Sequence, residues 1–284
     1  MDTIVILGAG QFGRAASRLS NLDHLRILAF GDNAKKLWGT AIGGVKVCSV
    51  EDAVGLRPDL ILIGVTDRDR TGQLKDQALR AGFTGRFLLL GDLYQYFDIR
   101  SATLFNMADR LLQRKVPGDV AELGVYKGDT AWKLNLLFPD RKLYLFDTFA
   151  GFDPRDIAKE ESSGYSRAQV GDFGDTSERA VLTRLPYPEQ AIIRKGFFPE
   201  TAKGLEEASF CLVSLDADLY APLLAGLEYF YPRLSPGGMI CLHDYGNPRF
   251  SGAAQAVADY EAAHGSLCLV PLCDLHGSAV IVAP

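Results

Sequence analysis

No stretch of this chain stays apolar for the ~18 residues that a membrane span needs, so nothing in it reads as a transmembrane helix. Strong charge of one sign is missing too. Lys and Arg number 30 against 35 Asp and Glu, a net charge of −5. That balance offers no basic footprint for nucleic acid or an anionic lipid surface. Cysteine is scarce and scattered, at positions 48, 211, 241, 268 and 273. An odd number at irregular spacing excludes a disulfide framework. Cys268 and Cys273, with no second pair, make a poor zinc site. Buried thiols in a reducing cytoplasm are the expectation. The opening residues, Met1 to Gly8, are apolar but short, lack a basic segment and run into a glycine turn. They read as a first strand and not as a signal peptide. No repeat of solenoid period is visible.

What is present is an ordinary globular balance, 48% hydrophobic and 23% charged over 284 residues, which is comfortable for two domains. Strand-like and helix-like stretches alternate throughout, which predicts α/β architecture. In the first part, strands are expected over 3–7, 26–30, 45–47, 60–65 and 86–90, with helices over 11–20 and 68–81. The pattern breaks over 91–100, and an amphipathic helix follows at 103–113 until Pro117-Gly118 stops it. We therefore expect a small domain over 1–95, a helical connector over 96–117 and a larger domain over 118–284. Strands are expected there at 119–123, 143–146, 191–194, 210–215 and 238–242, with a closing strand pair at 267–271 and 278–282. Residues 150–175, rich in Gly, Asp and Ser, read as a long polar loop of the kind that serves as a lid.

Ligands bind open α/β sheets at the carboxyl ends of strands. Four such ends carry chemistry here. Glu122-Leu123-Gly124-Val125-Tyr126 runs from a strand through a glycine turn into a helix, and Gly124 would let a ligand approach the backbone. Asp147 ends the next strand, about twenty residues on, where a carboxylate can accept ribose hydroxyls. Asp216 ends a third strand, and His243-Asp244 a fourth. Asp216, His243 and Asp244 on neighbouring strands would form a cluster for a divalent ion, Mg²⁺ by carboxylates alone or a transition ion with the imidazole.

The run Val116-Pro117-Gly118-Asp119-Val120-Ala121-Glu122-Leu123-Gly124-Val125, then Leu145-Phe146-Asp147-Thr148-Phe149-Ala150-Gly151-Phe152, resembles the macrocin-type sugar O-methyltransferases. Further stretches agree in order: Asp175-Thr176-Ser177, Lys195-Gly196-Phe197-Phe198-Pro199-Glu200-Thr201, Leu215-Asp216-Ala217-Asp218-Leu219-Tyr220 and His243-Asp244-Tyr245-Gly246. The resemblance covers about residues 100–284. It implies a Rossmann-like class I methyltransferase fold, with the closing strands as its terminal antiparallel pair. It implies S-adenosylmethionine on Glu122, Gly124, Tyr126, Asp147 and Thr148, with Asp175 and Ser177 near the adenine. It implies a metal held by three aspartates, two of them matched by Asp216 and Asp244. The third position holds His243, which could be a ligand, a base, or the mark of weaker metal affinity. Asp216 or His243 would accept the hydroxyl proton, a divalent ion would favour the alkoxide, and Tyr165 and Arg167 on the loop are candidate acceptor contacts.

The first domain carries Gly8-x-Gly10-x-x-Gly13 between strand and helix, with Asp32 at the end of the second strand. That is a second Rossmann-like, dinucleotide-type fingerprint. Phe30-Gly31-Asp32-Asn33, Trp38-Gly39 and Gly43-Gly44-Val45-Lys46-Val47 are instead similar to the N-terminal domains of nucleotide-sugar acetyltransferases. A sugar nucleotide or glycan carrier, a structural or oligomerising role, and a dinucleotide all stay open there.

The leading expectation is a cytoplasmic, metal-assisted sugar O-methyltransferase of natural-product or surface-glycan biosynthesis, acting on a small-molecule or glycan sugar. The alternatives are an NAD(P)-dependent sugar-nucleotide oxidoreductase, which lacks a convincing Tyr-x-x-x-Lys, and a non-catalytic nucleotide-binding scaffold. The apolar connector at 94–112 could join copies into a homo-oligomer.

Overall fold

Two mostly parallel sheets carry the chain in the computed structural model, which describes residues 1–284. Chain proximity divides it into two units: Met1–Ile99 with Cys273–His276, and Arg100–Leu272 with Gly277–Pro284. No helix is long and apolar enough to cross a membrane.

The first unit contains β1 (Asp2–Leu7), α1 (Gln11–Leu19), β2 (Leu25–Gly31), β3 (Ala41–Ile42), β4 (Val45–Cys48), α2 (Val50–Gly55), β5 (Leu60–Ile63), α3 (Arg68–Arg80), β6 (Arg86–Leu89) and α4 (Leu90–Tyr96). The sheet order is β3-β4-β2-β1-β5-β6, parallel except for the β3–β4 hairpin. β1 and β5 are central. Their unbroken aliphatic sequences bury both faces: Ile4 and Ile6 pack with Phe30 on one side, Val5 and Leu7 with Ile61 and Ile63 on the other. Ser49 caps α2 and Asp67 caps α3 by accepting backbone N–H bonds at 3.0 and 2.8 Å.

The second unit begins within α5 (Ile99–Gln113). It continues through β7 (Asp119–Leu123), α6 (Asp129–Leu137), β8 (Leu143–Asp147), α7 (Pro154–Ser163), α8 (Glu178–Leu182), β9 (Ala191–Lys195), β10 (Phe210–Leu215), α9 (Tyr220–Phe230), β11 (Leu234–Leu242), α10 (Gly252–His264), β12 (Leu269–Pro271) and β13 (Ala279–Val282). The order is β12-β13-β11-β10-β7-β8-β9. β7 to β11 are mutually parallel, and β13 runs antiparallel to both β11 and β12. The chain steps outward from β7 to β8 and β9, then returns to build β10 and β11 on the other side. The direction reverses between β7 and β10, so a crevice opens at their carboxyl ends. Val120, Leu145 and Leu212 bury one face of the sheet; Leu123, Phe146 and Leu215 bury the other, against Phe198 and Phe230 stacked at 5.7 Å. Each such side chain contributes roughly 1.5–3 kcal/mol.

Several segments depart from the sequence expectations, the unforeseen β3 and α2 among them. The polar stretch 150–175 holds a helix, α7. Asp153 caps it by accepting from Arg155 N at 2.9 Å, Pro154 opens it, and Gly164 closes it at φ 68°. These are ordinary start and stop signals, masked by the polar composition around them. The helix is anchored: Ile157 is buried, and Glu160 Oε1 accepts from Tyr220 N at 2.8 Å, capping α9. The stretch expected to lack a period, 91–100, contains most of α4 and the start of α5. Finally, Cys273–His276 leaves the closing strand pair to join the first unit, where Gln11 Nε2 donates to Leu275 O at 3.0 Å.

Candidate active site

Register sets the site. Leu123 lies beside Phe146 on one flank and Leu215 on the other, and Leu215 beside Leu242. The residues that follow, Asp147, Gly124, Asp216 and His243, therefore line up across four strand ends. Gly124 has φ +88°, and a Cβ there would stand 2.2 Å from Asp216 O. The glycine is thus required by the chain's own packing, a different reason from the ligand approach expected of it. The next turns are strained as well. Tyr126, Phe149, Asp218 and Asp244, following β7, β8, β10 and β11, have φ between 47° and 59°. Left-handed backbone costs a residue with a Cβ roughly 1–2 kcal/mol and concentrates at functional sites.

Asp147 organises the β7 and β8 turns together. Its Oδ2 accepts from Val125 N at 2.7 Å and Tyr126 N at 2.9 Å, and its Oδ1 from Phe149 N at 2.6 Å. A carboxylate has about four acceptor sites, so some capacity is left. Thr148 Oγ1 closes the β8 turn by donating to Gly151 O at 2.6 Å. Tyr126 Oη donates to Asp175 Oδ1 at 2.8 Å, and Lys127 Nζ meets Asp175 Oδ2 at 2.6 Å. Those hydrogen bonds hold the Asp175 carboxyl below its usual range. Ser177 faces its own helix: its Oγ accepts from Ala180 N and caps α8. Tyr165 packs on Tyr220, ring centroids 5.2 Å apart.

Glu122 points out of β7 into the interior. It is 1% exposed, and its Oε2 has no hydrogen-bond partner. Burial, then the charge of Asp216, pushes its carboxyl well above the ordinary range. A buried acceptor without a donor is costly.

The acids across the crevice are tightly engaged. Arg100 Nη2 meets Asp216 Oδ2 at 2.7 Å. His243 Nδ1 lies 2.8 Å from both Asp216 Oδ1 and Asp244 Oδ2. Asn247 Nδ2 donates to Asp244 Oδ1. Burial alone would raise the Asp216 carboxyl, but Arg100 and His243 hold it far below the normal range. Burial works against the His243 imidazolium, yet Asp216 and the hydrogen bonds to both aspartates push it up to about 10. Burial, and then the contact with Asp244, raises the Asp218 carboxyl above its ordinary range. Ligand atoms of Asp216, Asp218, His243 and Asp244 lie within 4.8 Å of one another. The structure brings the three expected cluster residues together and adds Asp218, Arg100 and Asn247, none of which was expected to take part. Asp218 could have been found, since it lies two residues after a strand-end acid. Nothing in the sequence marks Arg100.

In the first unit Gly13 packs so closely that a Cβ would stand 1.8 Å from Gly8 O, whereas a Cβ at Gly10 would meet nothing within 4 Å. Asp32 turns inward, its carboxylate accepting from Ala9 N and Ala34 N, each at 2.7 Å.

The second unit shares its fold with solved O-methyltransferases. The O-methyltransferase NovP superposes with a TM-score of 0.52 at 20% identity, covering 65% of this chain and 80% of that one. The calicheamicin methyltransferase CalS11 gives 0.52 at 21%, covering 68% and 83%. The sequence model of the macrocin O-methyltransferases (TylF) matches residues 98–280. The chain belongs to that family and is an O-methyltransferase. It is 26% identical over 186 residues to the 8-demethyl-8-(2,3-dimethoxy-alpha-L-rhamnosyl)-tetracenomycin-C 4'-O-methyltransferase of Streptomyces olivaceus, 61% of this chain and 68% of that protein. It is also 26% identical over 178 residues to the mycinamicin III 3''-O-methyltransferase of Micromonospora griseorubida, 58% and 69% respectively.

Proposed function

We propose that the second unit transfers a methyl group from S-adenosylmethionine to a hydroxyl of a deoxysugar-like acceptor in natural-product or surface-glycan biosynthesis. The observation that carries the donor is Glu122 Oε2, a buried acceptor without a partner beside the strained β7 turn. An ammonium group such as that of the donor's amino-acid end would satisfy it. Asp147, with its remaining acceptor capacity, suits ribose hydroxyls, and the Tyr126–Asp175 edge with Thr148 suits the base side. Relatives named for rhamnosyl and mycinamicin acceptors support the sugar.

When bound, S-adenosylmethionine supplies a sulfonium methyl, whose C–S bond breaks as the acceptor oxygen forms the new C–O bond. The chain must place that oxygen in line and remove its proton. Asp216 is a poor base, because Arg100 neutralises it. His243 is better matched. Its Nδ1 faces two acceptors and must carry a hydrogen, so Nε2 is the nitrogen that becomes basic when the ring is neutral. Two aspartates fix that tautomer, the logic of a His–Asp dyad. The neutral fraction grows as pH rises toward about 10, so the rate should climb across pH 7–9. A divalent ion fits this donor set poorly, since the Arg100 guanidinium already faces Asp216 and His243 Nδ1 sits between Asp216 and Asp244, and no step is derived through one.

For the first unit we propose a second Rossmann-like domain that holds a nucleotide-type ligand over Gly8, Gly10 and Gly13. Gly10 is the position where neither packing nor φ demands glycine. Asp32 would then shape the turn.

The test is calorimetry with S-adenosylmethionine plus methylation of rhamnosylated acceptors. Glu122→Gln should weaken donor binding about tenfold with stability unchanged or raised. Asp216→Asn should remove most methyl transfer at nearly intact donor affinity. Wild-type protein that takes up no S-adenosylmethionine would refute the reading.

A further inference from the structure

We infer that this chain fills the candidate ion site with its own N–H donors, so that Arg100 and His243 stand where a divalent metal would and no resident ion takes part. The inference rests on the methyltransferase reading above and concerns what completes that site.

The groups already facing the oxygens decide it: a guanidinium and an imidazole N–H lie against them, though neither carboxylate is filled. A hard divalent ion is bound through carboxylate oxygens turned toward it. Asp216 spends Oδ2 on the Arg100 guanidinium at 2.7 Å and Oδ1 on His243 Nδ1 at 2.8 Å. Asp244 spends Oδ2 on the same nitrogen at 2.8 Å and Oδ1 on Asn247. The imidazole cannot serve as a ligand through Nδ1, because an atom between two acceptors must be a donor. Asp218 lies in the same cluster, its ligand atom within 4.8 Å of those of Asp216, His243 and Asp244. The Arg100 and His243 side chains are 15% and 12% exposed. An incoming ion would have to displace the buried guanidinium from Asp216 or sit beside its charge.

Arg100 belongs to the start of α5, far in sequence from the acids it meets. It acts as a positioning residue. It fixes Asp216, which with Asp244 orients His243, and it supplies a permanent positive charge near the crevice. Such a preorganised donor can stabilise negative charge developing on the acceptor oxygen. The proton of that oxygen still passes to His243, so charge is balanced without a metal.

The experiment is calorimetric titration of the purified full chain with MgCl2 and with MnCl2, before and after EDTA, in the absence of donor and acceptor. The expected result is no saturable heat up to about 1 mM ion and a melting temperature unmoved by EDTA. Saturable binding with a Kd below about 100 μM would overturn the inference. Arg100→Ala and His243→Asp each uncover a carboxylate oxygen, so each should gain Mn²⁺ binding that the parent lacks, a gain that structural damage does not mimic. Variants that keep their far-ultraviolet spectrum and donor binding yet gain no ion affinity would also overturn it. If neither variant folds, the wild-type titration decides. Failure of donor binding is read in a separate cell, so it tells against the methyltransferase reading and leaves the ion result intact.

Discussion

Asp156 is a carboxylate set where its charge is unwelcome. It lies in the first turn of α7 and is 8% exposed. Burial, and then the neighbouring Asp153, pushes it up to about 6. The folded chain therefore keeps this proton between about 4 and 6, where the unfolded chain has lost it. Stability from this group is present below the lower limit, falls as pH rises through that window, and is gone above it. Asp156→Asn should flatten that slope and raise stability at pH 7 by about 1–2 kcal/mol, after discounting for remaining contact with solvent. Urea unfolding at pH 4.5 and pH 7.5 checks it: a variant as pH-sensitive as the parent rules the account out. At this scale the sequence was readable where an acid ends an apolar strand, as Asp147, Asp216 and Asp244 do. It was unreadable for Arg100, whose role depends on a register fixed more than a hundred residues later.

The strands were the legible elements, because fully buried parallel strands must be continuously aliphatic, and β1, β5, β7 and β10 are. α7 was not, because Gly, Asp and Ser on either side outweighed three correct boundary signals. Its helix does more than fill space. Leu219 offers α9 no side-chain cap, and Glu160 reaches across from α7 to supply one. Glu160→Ala should cost about 1 kcal/mol, seen as a melting temperature lower by roughly 2–4 °C and faster proteolysis between residues 150 and 175. An unchanged melting curve would mean that α7 and α9 hold each other by packing alone. The β7 turn gives a sharper case. Gly124→Ala meets both a positive φ and the Asp216 carbonyl, so a loss of about 2–4 kcal/mol is expected in equilibrium unfolding.

For the whole chain, composition set the class, and the closing strands were foreseen as a pair. The exchange of Cys273–His276 into the first unit was not, since long-range packing leaves no local period. The two units should answer to different ligands. Asp32→Ala should leave the heat of S-adenosylmethionine binding as it is while altering any response to UDP-sugars or NADH, and Glu122→Gln should do the reverse. Cross-loss in both titrations would mean that the units do not bind independently. One consequence reaches the behaviour of the enzyme on warming. Tyr126, Phe149, Asp218 and Asp244 hold conformations that their surroundings impose, and such spots relax before the aliphatic interior gives way. Catalysis should fade several degrees below the cooperative melt, a gap that an activity assay run beside a calorimetric scan would reveal. Attempts to toughen this protein would then need to reinforce the rim of the crevice and leave its core alone.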